Sequence, residues 1–105
     1  MVESDQVLEL VEAVKKSGKI KKGTNEATKA LERATAKAVI YASDASPKEI
    51  VLHIPMLAKE KGIPCFEVPL KADLGVAAGL EVSTAAIAVI ELGDGESILK
   101  ELTSE

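Results

Sequence analysis

Lys22, Asn25, Glu26, Lys29 and Arg33 recur at separations of three and four and hold the densest chemistry in the chain. On a helix this spacing gathers side chains on one face. Lys29 and Arg33 only donate hydrogen bonds, Asn25 donates and accepts, and Glu26 only accepts. The free backbone N–H groups of a helix start draw anions to the same place. Cations alone neutralise phosphates without reading sequence, whereas Asn and Glu can meet base edges. A carboxylate among lysines weakens the attraction for phosphate unless it accepts from base N–H groups. Guanine, with N1–H and N2–H beside an O6 acceptor, would use Glu and Lys together. The competing reading pairs Glu26 with Lys22 or Lys29 on a solvated helix face, an interaction worth ~0.3 kcal/mol. On residue chemistry alone both readings stand.

The elements that must position this set follow from hydrophobic spacing. Ala27, Ala30, Leu31 and Ala34 claim the opposite face of the same segment and predict a helix from about residue 25 to 35. Ahead of it, residues 19–22 read as a short basic edge strand around Ile20. Val7, Leu10, Val11 and Val14 predict a first helix over roughly residues 4–17, with Ser4 as its N-cap and Gly18 as its stop. Residues 38–42 form a short apolar run suited to a strand buried on both faces. The turn SDASP then places Pro47 at the start of a third helix. That helix carries Ile50, Val51, Ile54, Leu57 and Ala58 on one side, with Lys48, Glu49, Lys59 and Glu60 on the other. Pro55 inside it removes a backbone donor and predicts a kink or local break. Residues 65–68 read as a strand, 71–79 as a short helix and 85–91 as a buried strand. Past the Gly93-Asp94-Gly95 turn, Ile98, Leu99 and Leu102 mark a last helix. Regular alternation of helix and strand predicts a three-layer α/β/α sandwich around a small mixed four-stranded sheet.

No linker, repeat or shift in composition interrupts the chain, so residues 1–105 are expected to form one domain. Its aromatic residues are Tyr41 and Phe66, which leaves the core to Ala, Val, Ile and Leu. The net charge of −4 is unevenly spread: residues 15–37 hold eight cations against Glu26 and Glu32, a local +6 that leaves −10 for the rest. Such a split favours one localised polyanion site over a general coating. A lone Cys65 excludes an internal disulfide and suits a reducing cytoplasm. The acidic, amphipathic N-terminus lacks signal-peptide features, and no window approaches the ~18 apolar residues of a membrane span. His53, among Ile50, Ile54 and Leu57, reads as a helix-face histidine held by a local hydrogen bond, and neither a metal nor a cofactor is expected. Gly75 and Gly79 read as tight packing, since no phosphate-binding fingerprint surrounds them.

Three stretches, GTNEATKALER, DASPKEIVLHIPML and KGIPCFEVPLKADLGVAAGLEV, resemble in order and spacing the archaeal ribosomal protein L-seven-Ae family. The resemblance spans about residues 15–92. It implies recognition of the kink-turn, a bent RNA element in which a bulge is flanked by tandem sheared G·A pairs. The family's guanine-reading Asn-Glu-x-x-Lys set falls on Asn25, Glu26 and Lys29. Gly23 and Thr24 would allow close backbone approach, while Lys22 and Arg33 would face phosphates. A second family patch, covering the extruded bulge base and the loop backbone, falls on Ile50, Lys71, Leu80, Glu81 and Val82. Relatives generally carry an acidic residue immediately before the proline; here Ser46 precedes Pro47, and Asp44 lies two residues too early.

The resemblance further implies a non-enzymatic scaffold of the large ribosomal subunit, of box C/D and H/ACA guide ribonucleoproteins, and of ribonuclease P, with its role in tRNA processing. Its partners would be kink-turn RNA in ribosomal, guide and ribonuclease P RNAs, together with the proteins of the guide complexes, and the free chain would be a monomer. A protein-interaction module of the same fold is the first alternative, against which the intact Asn25, Glu26 and Lys29 set counts. An enzyme built on Asp44, His53 or Cys65 is the second, and the sequence shows no base, nucleophile and orienting partner for it.

Overall fold

Buried residues recur every three to four positions in the helical stretches and in near-continuous runs at residues 38–42 and 86–89, as one-sided helices on the two-sided centre of a sheet require. The computed structural model describes residues 4–44 and 49–103, apart from the side chains of Ser4, Glu49 and Ile50. Its elements are α1 (Ser4–Ser17), β1 (Lys19–Lys22), α2 (Thr24–Glu32), β2 (Ala38–Ala42), α3 (Glu49–Lys61), β3 (Cys65–Val68), α4 (Lys71–Ala77), β4 (Ala86–Glu91) and α5 (Glu96–Thr103). The cap expected at Ser4 and the helix start expected at Pro47 lie outside the described residues.

The sheet order is β1-β4-β2-β3. Strand β4 runs antiparallel to both neighbours, and β2 runs parallel to β3, so the sheet is mixed. Alternation along the strands sorts the core into two layers. Ile40, Val68, Ile87 and Val89 pack with Val7, Leu10, Val11 and Val14 of α1, Leu74 of α4, and Leu99 and Leu102 of α5. The opposite face offers Val39, Ala86 and Ala88 to Ala27, Ala30 and Leu31 of α2 and to Val51, Ile54 and Ala58 of α3. Alanine meets alanine between α2 and β4, and small side chains on both sides let that helix sit close to the sheet. The result is the α/β/α sandwich.

This topology decides where the site-bearing segments meet. With β1, β2 and β3 parallel to one another and β4 opposed, the C-terminal ends of the first three adjoin the N-terminal end of β4. Backbone bonds stitch that end together: Gly23 N–H to Ala86 O at 2.9 Å, Ala42 N–H to Ala85 O at 2.8 Å, and Ser43 N–H to Val68 O at 2.8 Å. The starts of α2, α3 and α4 and the loop into β4 therefore converge.

Two local expectations change. Helix α2 stops at Glu32, short of residue 35, because Ala34 turns into the left-handed region at φ 56°. Ala34 N–H then bonds to Leu31 O and Thr35 N–H to Ala30 O, both at 3.0 Å, the paired closure of a Schellman ending with alanine in the usual glycine position. Helix α3, by contrast, runs unbroken through Pro55. Interior proline costs ~3 kcal/mol, whereas burying Val51, Ile54 and Ala58 against the sheet contributes ~1.5–3 kcal/mol for each of the two larger side chains. Packing wins.

Candidate nucleic-acid interface

Helix α2 begins at a glycine for a conformational reason. Gly23 adopts φ 102° and ψ 153°, which a side chain would strain, and a Cβ there would meet nothing within 4 Å. The chain thus turns sharply from β1 into α2, and the space over the turn stays open to a ligand. No side chain caps this helix start, so its first-turn N–H groups point into that space.

Around the turn lies an open groove of about 840 Å³, lined by Lys22, Gly23, Thr24, Asn25, Glu26, Thr28, Lys29, Glu32 and His53. Lys22, Asn25, Glu26 and Lys29 are all exposed. Among the described residues Glu26 pairs with neither Lys22 nor Lys29, so its carboxylate is left as a free acceptor beside two ammonium donors and an amide. That array accepts and donates along one edge and suits a planar base with adjacent N–H and C=O groups. Arg33, expected on the same stripe, is exposed but lies at the helix C-cap, outside the groove lining.

Three of the lining residues escaped sequence reasoning. Glu32 is one turn beyond Thr28 on the same helix face. Thr28 follows Thr24 by four positions, and its hydroxyl donates to the Thr24 carbonyl at 2.8 Å. His53 comes from α3, and its Nε2 lies 2.6 Å from Thr28 Oγ1. The expected local tether of His53 is therefore a bridge between helices.

The second patch forms around α4. Lys71, its first residue, donates its backbone N–H to Asp44 Oδ1 at 2.8 Å and accepts from Thr84 N–H at 3.3 Å. Leu70, in the N-cap position, supplies no side-chain cap, so Asp44 closes the helix start from across the sheet end. Gly75 lets the following loop lie flat on the helix, since a Cβ there would strike the Val82 carbonyl and the Ser83 backbone. Leu80 is half-buried, Glu81 is exposed, and Val82 stands 71% exposed at the loop tip. Ile50 belongs to α3 by its backbone, while its side chain and Ser46 lie outside the described residues.

Elsewhere, burial chiefly, and then the Glu67 charge, push the half-buried Cys65 thiol up to about 11. The neighbouring Tyr41 phenol is pushed up to about 12, first by burial and then by the hydrogen bond it donates to Glu67 Oε2 at 3.0 Å. Both groups are neutral near pH 7, and a protonated thiol is a poor nucleophile. No helix among the described residues is long and apolar enough to cross a membrane.

A model of the ribosomal protein L7Ae/L30e/S12e/Gadd45 family matches residues 5–99. The chain belongs to this family. A solved structure, the Giardia lamblia 15.5kD RNA binding protein, is similar to it with a TM-score of 0.84 at 33% identity, over 99% of this chain and 89% of that one. Both patches fall within the span matched by the L7Ae/L30e/S12e/Gadd45 family, as do the groove residues Thr28, Glu32 and His53.

Proposed function

We propose that this L7Ae/L30e/S12e/Gadd45 family member is an RNA-binding scaffold that recognises kink-turns. The observation that carries the reading is Glu26, exposed in the groove beside Asn25 and Lys29 and paired with neither neighbouring lysine. A surface glutamate kept only for solubility would sit comfortably in an i, i+3 or i, i+4 ion pair. Left free beside donors, it matches the N–H edge that a guanine exposes in a sheared G·A pair. Lys22 and the open turn at Gly23 supply room and charge for the RNA backbone, with Thr24 beside them, while Arg33 adds charge from the far end of α2. Ile50, Lys71, Leu80, Glu81 and Val82 take the bulged nucleotide and its flanking phosphate at the same end of the sheet. The similar Giardia lamblia protein is an RNA binding protein, which supports the reading.

The clients we propose are kink-turns in ribosomal RNA, box C/D and H/ACA guide RNAs and ribonuclease P RNA, bound by a one-domain cytoplasmic monomer that performs no catalysis. Leu52 and Met56, 59% and 73% exposed on α3, favour an additional protein partner in such particles.

A gel-shift titration tests the core of this reading. Kink-turn RNA should bind with a Kd on the order of nanomolar, and replacing both sheared G·A pairs by Watson–Crick pairs should abolish that affinity. Equal affinity for the two RNAs would refute it.

A further inference from the structure

The first turn of α2 carries Asn25 and Glu26 yet has no side-chain cap of its own. Besides the backbone bonds of Gly23 N–H to Ala86 O and Ala27 N–H to Gly23 O, a side-chain contact from another helix holds it. Thr28 Oγ1 contacts both the Thr24 carbonyl, at 2.8 Å, and His53 Nε2, at 2.6 Å. A hydroxyl has one proton to give. With that proton directed to Thr24 O, Oγ1 must accept from the ring, so the imidazole carries its proton on Nε2. The chain of bonds runs from His53 of α3 through Thr28 to the backbone of Thr24, the residue preceding the Asn25-Glu26 pair.

Thr28 sits on the boundary of α2, between the buried Ala27, Ala30 and Leu31 and the exposed Asn25, Glu26 and Lys29. Both stripes belong to one helix, so holding Thr28 against His53 fixes the rotation of α2 about its own axis and with it the direction the exposed stripe faces. A threonine hydroxyl bonded to the carbonyl four residues back tends to bend a helix, and the ring fixes which way that hydroxyl points. His53 is itself exposed, so its loss creates no core cavity. Its bond contributes mainly to setting the geometry of the helix start before a ligand arrives, which lowers the ordering penalty of binding.

We propose that His53 is a positioning residue for RNA recognition: through Thr28 it holds the first turn of α2 so that Asn25, Glu26 and Lys29 present one edge. The proposal rests on the guanine-reading role assigned to that face. Thr28 is its partner in this role, and neither residue needs to touch RNA.

The test is a double-mutant cycle read by affinity. The wild type, His53→Leu, Thr28→Val and the double variant are titrated with kink-turn RNA and with its Watson–Crick-paired counterpart, below the unfolding midpoint of each variant. Each single variant should weaken kink-turn binding roughly tenfold and leave the counterpart unchanged, and the double variant should be no weaker than either single one. His53→Gln, which retains an N–H near the Nε2 position, and Thr28→Ser, which retains the hydroxyl, should recover most of the affinity. A merely structural role predicts a lowered unfolding midpoint with unchanged affinity, and that result would overturn the proposal. So would a His53→Leu loss that persists in full in the Thr28→Val background, because the ring would then be touching RNA itself. If the wild type fails to discriminate between the two RNAs, the functional reading falls and this proposal falls with it. A discriminating wild type with indiscriminately tight variants removes the proposal alone.

Discussion

The groove at the start of α2 and the patch around α4 share one end of the sheet but are built in opposite ways. In the groove the polar edge comes almost entirely from one contiguous stretch, Lys22 to Glu32, with His53 as the single contributor from elsewhere. The α4 patch draws on three separated stretches, because the Lys71 backbone is held between Asp44 and Thr84 and the exposed Val82 loop lies over Gly75. In the proposed reading the groove presents hydrogen-bonding groups whose identity would carry specificity, while the α4 patch presents an apolar tip that would cover a base of any identity. The proposed reading edge is thus encoded locally, and the proposed clamping surface is assembled by the fold.

Breaking the groove should have the largest effect. Glu26→Ala should weaken kink-turn binding by ~1–3 kcal/mol although it makes the surface more basic, measured by gel shift against wild type at one salt concentration. A rise in affinity would mean that Glu26 is only a surface charge. Breaking the α4 patch should act through stability as well as binding. Asp44→Ala removes the acceptor for the Lys71 N–H and should cost ~1 kcal/mol in urea denaturation. It should also weaken kink-turn binding while leaving the preference for sheared over Watson–Crick pairs intact. Loss of that preference would show that the two patches do not divide the labour as described. The smallest effect should come from the far end of α2. Ala34→Gly relieves the positive φ of the helix ending and should raise stability by about 0.5 kcal/mol once the greater flexibility of glycine is counted. Its kink-turn affinity should match wild type, which would place the reading edge at the start of the helix only.

The elements were largely legible because each buries its own side chains in its own period. Val7, Leu10, Val11 and Val14 mark α1 over the same residues that the structure shows. The two stripes of α2 were separable for the same reason, and that was enough to isolate Asn25, Glu26 and Lys29. Arg33 shares their spacing but not their groove, since the helix closes at Ala34 and spacing does not report where a helix stops being a helix. Pro55 misled in the other direction: its local penalty is real, yet burial of residues on either side of it in α3 outweighs that penalty. Asp44 had no readable role, because its acceptor oxygen serves an N–H 27 residues away.

By itself, then, the sequence determined the alternation of helices and strands, the two-faced character of α2, and the donor and acceptor groups of the reading edge, since all of these depend on neighbours within one or two turns. The tertiary structure alone decided which strand ends lie together, that Asp44 closes α4, and that His53 reaches Thr28. Those contacts join residues far apart along the chain, and their partners become neighbours only through the strand order β1-β4-β2-β3.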